Sequence, residues 1–332
     1  MRKVIGIGET VLDIVFRDNQ PIAAVPGGST FNAMISLGRS GVPATLISEV
    51  GDDRVGRFVT DFMRHNGVDP LHMSLIPGAK TPLSLAFLNE KNDAEYIFYK
   101  TTPPQGRGVN IGSPNEKSNQ PPLSWGGVGL QLSSDDLVLF GSYYALNPDT
   151  RQQVKAVLEE ARRQGAIIYY DVNFRPAHCH EVMRLMPAIM ENLEMADIVR
   201  GSREDFETLY QIGEAEKVYA EKIAYYCRNF IYTDSDRPAL LMASDGLRRE
   251  YPVKKEQTVT TIGAGDNFNA GILFGILRQG ITRQDIAQGL TAVQWDSIIA
   301  EGQQFAAEVC KSIYNYVSED FGQAKRATLP TK

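Results

Sequence analysis

The stretch Thr260-Thr261-Ile262-Gly263-Ala264-Gly265-Asp266-Asn267-Phe268 places a carboxylate directly behind two glycines. Gly263 and Gly265 suit a tight turn whose backbone approaches a ligand closely. The run from Asp266 to Gln279 is apolar on nearly every face and long enough for a helix, with Gly280 as its stop. The start of such a helix offers free N–H groups and the positive end of a dipole, which together form an anion site. Asp266 in that site either caps the helix or serves as a base, and the short motif alone leaves the two even. Other residues able to do chemistry stand near element ends. Asp13 lies among short strands near the N-terminus, and Asn32 follows Gly27-Gly28 on a helix. Taken singly, Asp13 reads as a turn residue and Asn32 as a solvent-facing helix residue. Asp171, Asn173 and Arg175 sit just past the end of an apolar strand, where a ligand would lie. Arg175 suits a phosphate or a substrate carboxylate, and equally a brace through Asp171.

The elements that position these residues alternate along the chain. Lys3–Gly8 is a short apolar run typical of a buried parallel strand. Val11–Phe16 and Ile22–Val25 read as short strands broken by Asp18-Asn19-Gln20-Pro21. Ser29 or Thr30 can cap a helix running to Arg39, and Val55–Asn66 reads as a helix stopped by Gly67. Thr81–Leu88 and Glu95–Tyr99 flank Asn89-Glu90-Lys91-Asn92-Asp93, a hairpin by its turn chemistry. Thr101 to Ser134, with three Pro-Pro or Gly-Gly pairs, reads as a long loop. Beyond it, strands at Leu137–Phe140, Ile167–Asp171, Ile198–Arg200 and Phe230–Thr233 alternate with helices at Pro148–Gln164, Glu181–Leu193 and Arg203–Gln211. Further strands cover Leu240–Ala243 and Leu247–Tyr251, and Gln284 to Tyr316 reads as mostly helical. This alternation predicts a mostly parallel sheet covered on both faces, with ligands at the carboxyl ends of its strands.

Composition narrows the function classes. Hydrophobic residues at 43% and charged residues at 22% of the 332-residue chain are ordinary for a soluble globular protein. A net charge of −6 with no basic stripe argues against a nucleic-acid surface. The most apolar run, Ala270 to Leu277, is too short to span a bilayer, and no secretory signal opens the chain. The three cysteines, Cys179, Cys227 and Cys310, make no disulfide framework and fit a reducing compartment, so a cytoplasmic location is expected. Gly6-Ile7-Gly8 fails as a dinucleotide fingerprint because Val11 stands where the third glycine belongs. Gly78-Ala79-Lys80-Thr81 lacks the glycine before the lysine of a P-loop. His178-Cys179-His180-Glu181 has no second ligand pair for zinc, and the chain holds only four histidines.

Gly263-Ala264-Gly265-Asp266 resembles the most specific signature of the ribokinase-like (PfkB) family of carbohydrate kinases. Gly27-Gly28-Ser29-Thr30-Phe31-Asn32-Ala33 resembles a second, in which two glycines and three residues precede an asparagine. Gly8-Glu9 with Asp13, Gly51-Asp52-Asp53 with Gly56, and Asp171-Val172-Asn173-Phe174-Arg175 fall in the family's order, so the resemblance runs from about Lys3 to Ile281. It implies a ribokinase-like three-layer α/β sandwich, a mostly parallel central sheet with helices on both faces. A small β-sheet lid from strands near 11–25 and 82–100 and a long loop over 101–135 complete a single kinase domain across 1–332.

The implied activity is ATP-dependent phosphorylation of a primary hydroxyl on a small sugar. Fructose is favoured, because Gly8-Glu9 and the 171–175 motif look like the fructokinase branch. 2-Keto-3-deoxygluconate comes second, through Arg175 and a substrate carboxylate, and a nucleoside third. In the family's roles, Asp266 is the general base, and Gly263, Ala264 and Gly265 form the phosphate cradle with it. Asp13, Gly27, Gly28, Asn32, Asn173 and Arg175 bind the sugar. Ser202, Thr233, Ser235 and Thr261 meet the nucleotide together with Gly263 and Gly265, and Asp205 serves Mg2+.

Four departures touch the nucleotide side. Thr260 replaces the aspartate that helps hold a monovalent cation in the family, which puts potassium activation in doubt. Ser202-Arg203-Glu204-Asp205 stands for the family's Asn-x-x-Glu, and Thr233-Asp234-Ser235-Asp236-Arg237-Pro238 lacks both glycines of Thr-x-Gly-x-x-Gly. Gln294-Trp295-Asp296 occupies the small-residue loop near adenine. A rival reading from another class therefore remains, a sugar-binding regulatory protein without catalysis. Exposed lid edges also invite pairing with a second copy, so a homodimer through the lid is expected.

Overall fold

In the computed structural model, which describes residues 2–89, 94–99, 124–125, 128–254 and 258–330, the chain opens on β1 (Val4–Ile7). It continues through β2 (Val11–Arg17), β3 (Gln20–Gly27), α1 (Ser29–Arg39), β4 (Ala44–Gly51), α2 (Arg54–His65), β5 (Val68–Asp69) and β6 (Met73–Ile76). Then come β7 (Leu83–Leu88), β8 (Ala94–Tyr99), two two-residue strands β9 (Ser124–Trp125) and β10 (Val128–Gly129), and β11 (Leu137–Gly141). The regular part follows as α3 (Pro148–Gln164), β12 (Ile167–Asp171), α4 (Val182–Met195), β13 (Ile198–Ser202), α5 (Arg203–Tyr210) and α6 (Ala215–Val218). It closes with β14 (Phe230–Asp234), β15 (Arg237–Met242), β16 (Arg248–Tyr251), α7 (Ala264–Arg278), α8 (Arg283–Gln288), α9 (Ala292–Val309) and α10 (Glu319–Arg326).

The main sheet runs β16-β15-β14-β13-β12-β11-β1-β4-β5, with β6 also on β4. Every pairing from β14 across to β5 is parallel, and β15 and β16 add an antiparallel edge. Strands buried on both faces alternate their side chains between two cores. Along β11, Leu137 and Leu139 join the core under α1, α7 and α9, while Val138 and Phe140 join the core under α3, α4 and α5. The three-layer sandwich expected from the resemblance is therefore present. Because β1 lies between β4 and β11, the order of connection reverses there, and the carboxyl end of β1 opens a crevice.

A second sheet, β3-β2-β7-β8, is the expected lid. The sequence reading broke its first two strands over four residues. The structure makes a hairpin in which only Asp18 and Asn19 turn, with φ of 50° and 60°, and Pro21 sits within the outer strand β3. One lid face carries Asp13 beside Ser84 and Val15 beside Ala86. The other aligns Leu12, Leu83 and Tyr99, then Ile14, Leu85 and Ile97. Of the expected hairpin turn, 90–93 lies outside the described residues. So do 101–123 and 126–127 of the expected long loop, whose described remainder buries Leu130 and Leu132 in the main core.

Helix ends follow the glycines. α3 stops at Gly165 with φ 80°, as its sequence predicts. The C-terminal helix is shorter than expected: α9 ends at Val309, and the backbone N–H of Val259 donates to the carbonyl of Cys310 at 2.8 Å. The chain then crosses back towards the lid before α10. No described helix is long and apolar enough to cross a membrane.

Candidate active site

The two glycine signatures meet. Asp266 lies in the first turn of α7, and its carboxylate accepts from the Ser29 hydroxyl at 2.7 Å and from the Asn32 amide at 2.8 Å, both on α1. Residues more than 230 positions apart are thus joined through one carboxylate. Neither Ser29 nor Asp266 caps its helix: α1 begins at Gly28 and α7 at Gly263, each without a side-chain cap. Both alternatives that made these residues helix caps fall away. Burial pushes the Asp266 carboxyl above its usual range, while the Asn32 and Ser29 hydrogen bonds and the Arg175 charge pull against the rise.

The glycines are required by close approach. Gly28 has φ 122°, and a Cβ there would meet the Glu9 carbonyl oxygen at 2.3 Å. A Cβ on Gly27 would strike an Asp13 carboxylate oxygen at 2.0 Å. Gly263, at φ 74°, faces the backbone of Asn315. The N–H groups of Gly265 and Asp266 have no acceptor among the described residues, which leaves them as an anion cradle. Ala264 is a correction to the expected cradle, since its N–H donates to the Thr261 carbonyl at 3.1 Å.

Asp13 reaches the same crevice from the lid. It is 6% exposed, and its carboxylate accepts from the Asn315 amide at 2.8 Å. Burial lifts its pKa from 3.8 to about 6, with the hydrogen bond from Asn315 and the neighbouring Ser84 side chain opposing and the Asp266 charge adding. Asn32 is 4% exposed, not solvent-facing. The side-chain oxygens of Asn32 and Asn315 are buried without a partner among the described residues. Asn315 went unnoticed in the sequence. It belongs to a polar-aromatic stretch expected to be helical, and no local pattern marks it; its carbonyl also accepts from the Asn267 amide at 2.8 Å.

The loop after β12 carries Asn173, in the left-handed region at φ 36°, and Arg175, exposed at the crevice with its guanidinium 5.5 Å from the ring centre of Tyr96 in the lid. Arg175 does not brace Asp171. That role belongs to Arg200, whose Nη1 donates to Asp171 at 3.0 Å and whose Nη2 donates to the Thr233 hydroxyl at 2.6 Å.

Several nucleotide-side residues are occupied. Ser202 caps α5 in a capping box with Asp205. Asp205 is 5% exposed; its oxygens accept from the N–H and hydroxyl of Ser202 and from the N–H of Phe174. It is a buried carboxylate engaged in the α5 cap. Among the described residues no three His, Cys, Asp or Glu side chains are grouped to hold a metal ion. Ser235, with φ 48°, is exposed just past β14, and Thr261 is exposed in the turn before α7. The buried Thr260 hydroxyl accepts from the Ile262 N–H at 3.2 Å and so shapes the turn. Asp296, weighed as its substitute for a cation, is held by Arg249 and Tyr251 at the sheet edge.

The family model for pfkB carbohydrate kinases matches residues 1–295. The chain belongs to this family. It is a carbohydrate kinase, a phosphotransferase acting on sugar. Fructokinase-1 of Oryza sativa subsp. japonica is 26% identical over 291 residues, 85% of each protein. The 5-dehydro-2-deoxygluconokinase of Geobacillus thermodenitrificans is 25% identical over 269 residues, 76% of this chain and 72% of the relative. Among solved structures, fructokinase from Vibrio cholerae O395 with fructose, ADP and calcium ion superposes with a TM-score of 0.78 at 19% identity, over 99% of each chain. Aminoimidazole riboside kinase from Salmonella enterica, with its riboside and an ATP analog, gives 0.74 at 20%, over 99% of this chain and 100% of that one. These relatives and neighbours support the fructokinase-like branch.

Proposed function

We propose that this kinase transfers the γ-phosphoryl group of ATP to a primary hydroxyl of a small sugar, with Asp266 as general base. The observation that carries the reading is the placement of Asp266. Its carboxylate lies in the first turn of α7 beside the free N–H groups of Gly265 and Asp266 and is oriented by Ser29 and Asn32. A base raised above the ordinary carboxylate range is better matched to a hydroxyl proton. In the step, the hydroxyl oxygen bonds to the γ-phosphorus, its proton passes to Asp266, and ADP leaves; the cradle N–H groups offset the charge on the moving phosphate.

The sugar side fits polyol recognition. Asp13 accepts, and the unpartnered oxygens of Asn32 and Asn315 await hydroxyl donors. Gly27 and Gly28 hold the backbone close, and Asn173 and Arg175 close the far side. Ser235 is exposed on the nucleotide side, while Ser202 and Thr233 act through the α5 cap and Arg200. Among the described residues no carboxylate set is grouped for Mg2+; arriving with ATP it would neutralise phosphate charge while held by phosphate oxygens and water, and no step is assigned to it.

Fructose remains the first substrate reading, supported by the two fructokinases. A keto sugar acid is the second, favoured by one observation: Arg200 holds Asp171, which leaves the Arg175 guanidinium at the crevice, over the Tyr96 ring and within the field of Asp266. A sugar panel including fructose and keto-deoxy aldonic acids, with ADP release as readout, tests both. Calorimetry that finds sugar binding but no ATP binding would replace catalysis with a sensor role. We further propose a cytoplasmic homodimer, joined through the lid face that carries Ile97, 45% exposed, and Tyr99, 58% exposed.

A further inference from the structure

Arg200 is a charged residue that no sequence motif singled out. It lies on β13 and is only 7% exposed. Its Nη1 donates to Asp171 at 3.0 Å, and its Nη2 donates to Thr233 at 2.6 Å. Asp171 is held from a second side by the Asn269 amide at 2.9 Å, and the Asn269 oxygen accepts from the Tyr169 hydroxyl at 2.9 Å. The guanidinium is thus fixed by groups on β12, β14 and α7. Its Nε is buried with no partner among the described residues.

What this fixed cation faces is the cradle. A Cβ on Gly265 would lie 3.1 Å from Nη2, 3.2 Å from Nη1 and 3.5 Å from Cζ. Both Nη atoms lie nearer than Cζ, so the Nη1–Nη2 edge of the guanidinium is turned towards the glycine whose N–H has no acceptor among the described residues. A methyl group here would press on the guanidinium by a few tenths of an ångström.

We propose that Arg200 is a positioning residue for phosphoryl transfer, a fixed cation directly behind the Gly265–Asp266 cradle. It acts through the cradle: it holds the backbone against α7 and adds positive charge beneath the site where phosphate charge develops. This explains how the nucleotide side can work with Ser202 and Thr233 turned to other partners and with a hydroxyl at position 260. The inference rests on the kinase reading above.

A purely structural tie between β12, β13 and β14 is the competing account, and the two differ in sign. Arg200→Met should lower kcat by roughly 100-fold and raise the KM for ATP about 10-fold, with the KM for sugar changed less than about 3-fold. Arg200→Lys keeps a cation and should retain kcat within about 10-fold of the parent. Asp171→Asn removes the counter-charge and leaves the guanidinium, so ATP should bind more tightly, by about 3-fold, even as the melting temperature falls. If Arg200→Met does not fold, the direction of the Asp171→Asn effect decides. ATP binding weakened by Asp171→Asn, or an Arg200→Met enzyme with unchanged kcat, overturns the inference and leaves the kinase reading intact. A parent chain that transfers no phosphate to any sugar overturns both.

Discussion

Asp13→Asn separates function from stability. In the folded protein the Asp13 carboxyl is buried and its pKa rises from 3.8 to about 6. Each pKa unit is worth about 1.36 kcal/mol, so keeping this group ionised above its folded pKa costs about 3 kcal/mol of folding stability. The sign follows from proton binding. The native state holds the proton more tightly than the unfolded chain, so the stabilising contribution is complete below pH 3.8 and is lost as pH rises through about 6. Asn has the same shape, can accept from the Asn315 amide, and carries no charge. The variant should therefore match the parent near pH 3.5 and exceed it by up to about 3 kcal/mol at pH 7, in urea unfolding followed at a series of pH values. Sugar affinity should fall in the same variant, because a neutral amide replaces a charged acceptor. A stability difference that stays flat from pH 4 to pH 8, or a variant less stable at pH 7, would refute the burial argument. Asp13 and Asp266 repel each other, so the transition belongs to the pair.

Asp266→Asn keeps the hydrogen bond from Ser29 and removes the base, so kcat should drop roughly 100-fold or more with sugar affinity little changed; near-normal turnover rules out the assignment. In the parent, kcat/KM should climb with pH along a limb above the ordinary carboxylate range, because burial raises Asp266 and activity needs its deprotonated form. Replacing potassium by a bulky organic cation at constant ionic strength should leave activity nearly unchanged, and Thr260→Asp should create a dependence; strong potassium activation of the parent defeats this reading of Thr260. Light scattering should give twice the chain mass, and a monomer at all working concentrations removes the lid dimer.

The part of the site legible in the sequence is the part written in glycine. Gly27, Gly28, Gly263 and Gly265 stand where a side chain would press on another backbone, a carboxylate or a guanidinium, so each leaves a local mark. Asn32 and Asp266 were found because they lie a few residues from those glycines, and Asp13 because it follows Gly8-Glu9 in the same order. Helix stops such as Gly165 were readable for the same reason. Asn315 and Arg200 left no such mark. Each makes its contacts across the fold, Asn315 with a residue 302 positions away, and a single buried Asn or Arg carries no periodic signal. Asp205 is ambiguous in the sequence because a carboxylate three residues after a serine has two uses. Its side chain chose the capping box, whose donors are adjacent and already in place.

The same geometry explains why the glycine motifs and the unmarked residues depend on one another. Asp266 is oriented by α1 through Ser29 and Asn32, and Asp13 is oriented by Asn315, whose backbone also packs on Gly263. A closed circuit runs from the lid through the C-terminal crossing to the start of α7 and back through α1. Arg200 and Asp171 stand on its far side under Gly265. Both carboxylates in the circuit are held at raised pKa, which a fold selected for stability alone would avoid by using amides. Two buried acids facing one crevice beside the N–H groups of Gly265 and Asp266, with Arg200 behind them, suit the proposed phosphoryl transfer better than they suit the stability of the chain.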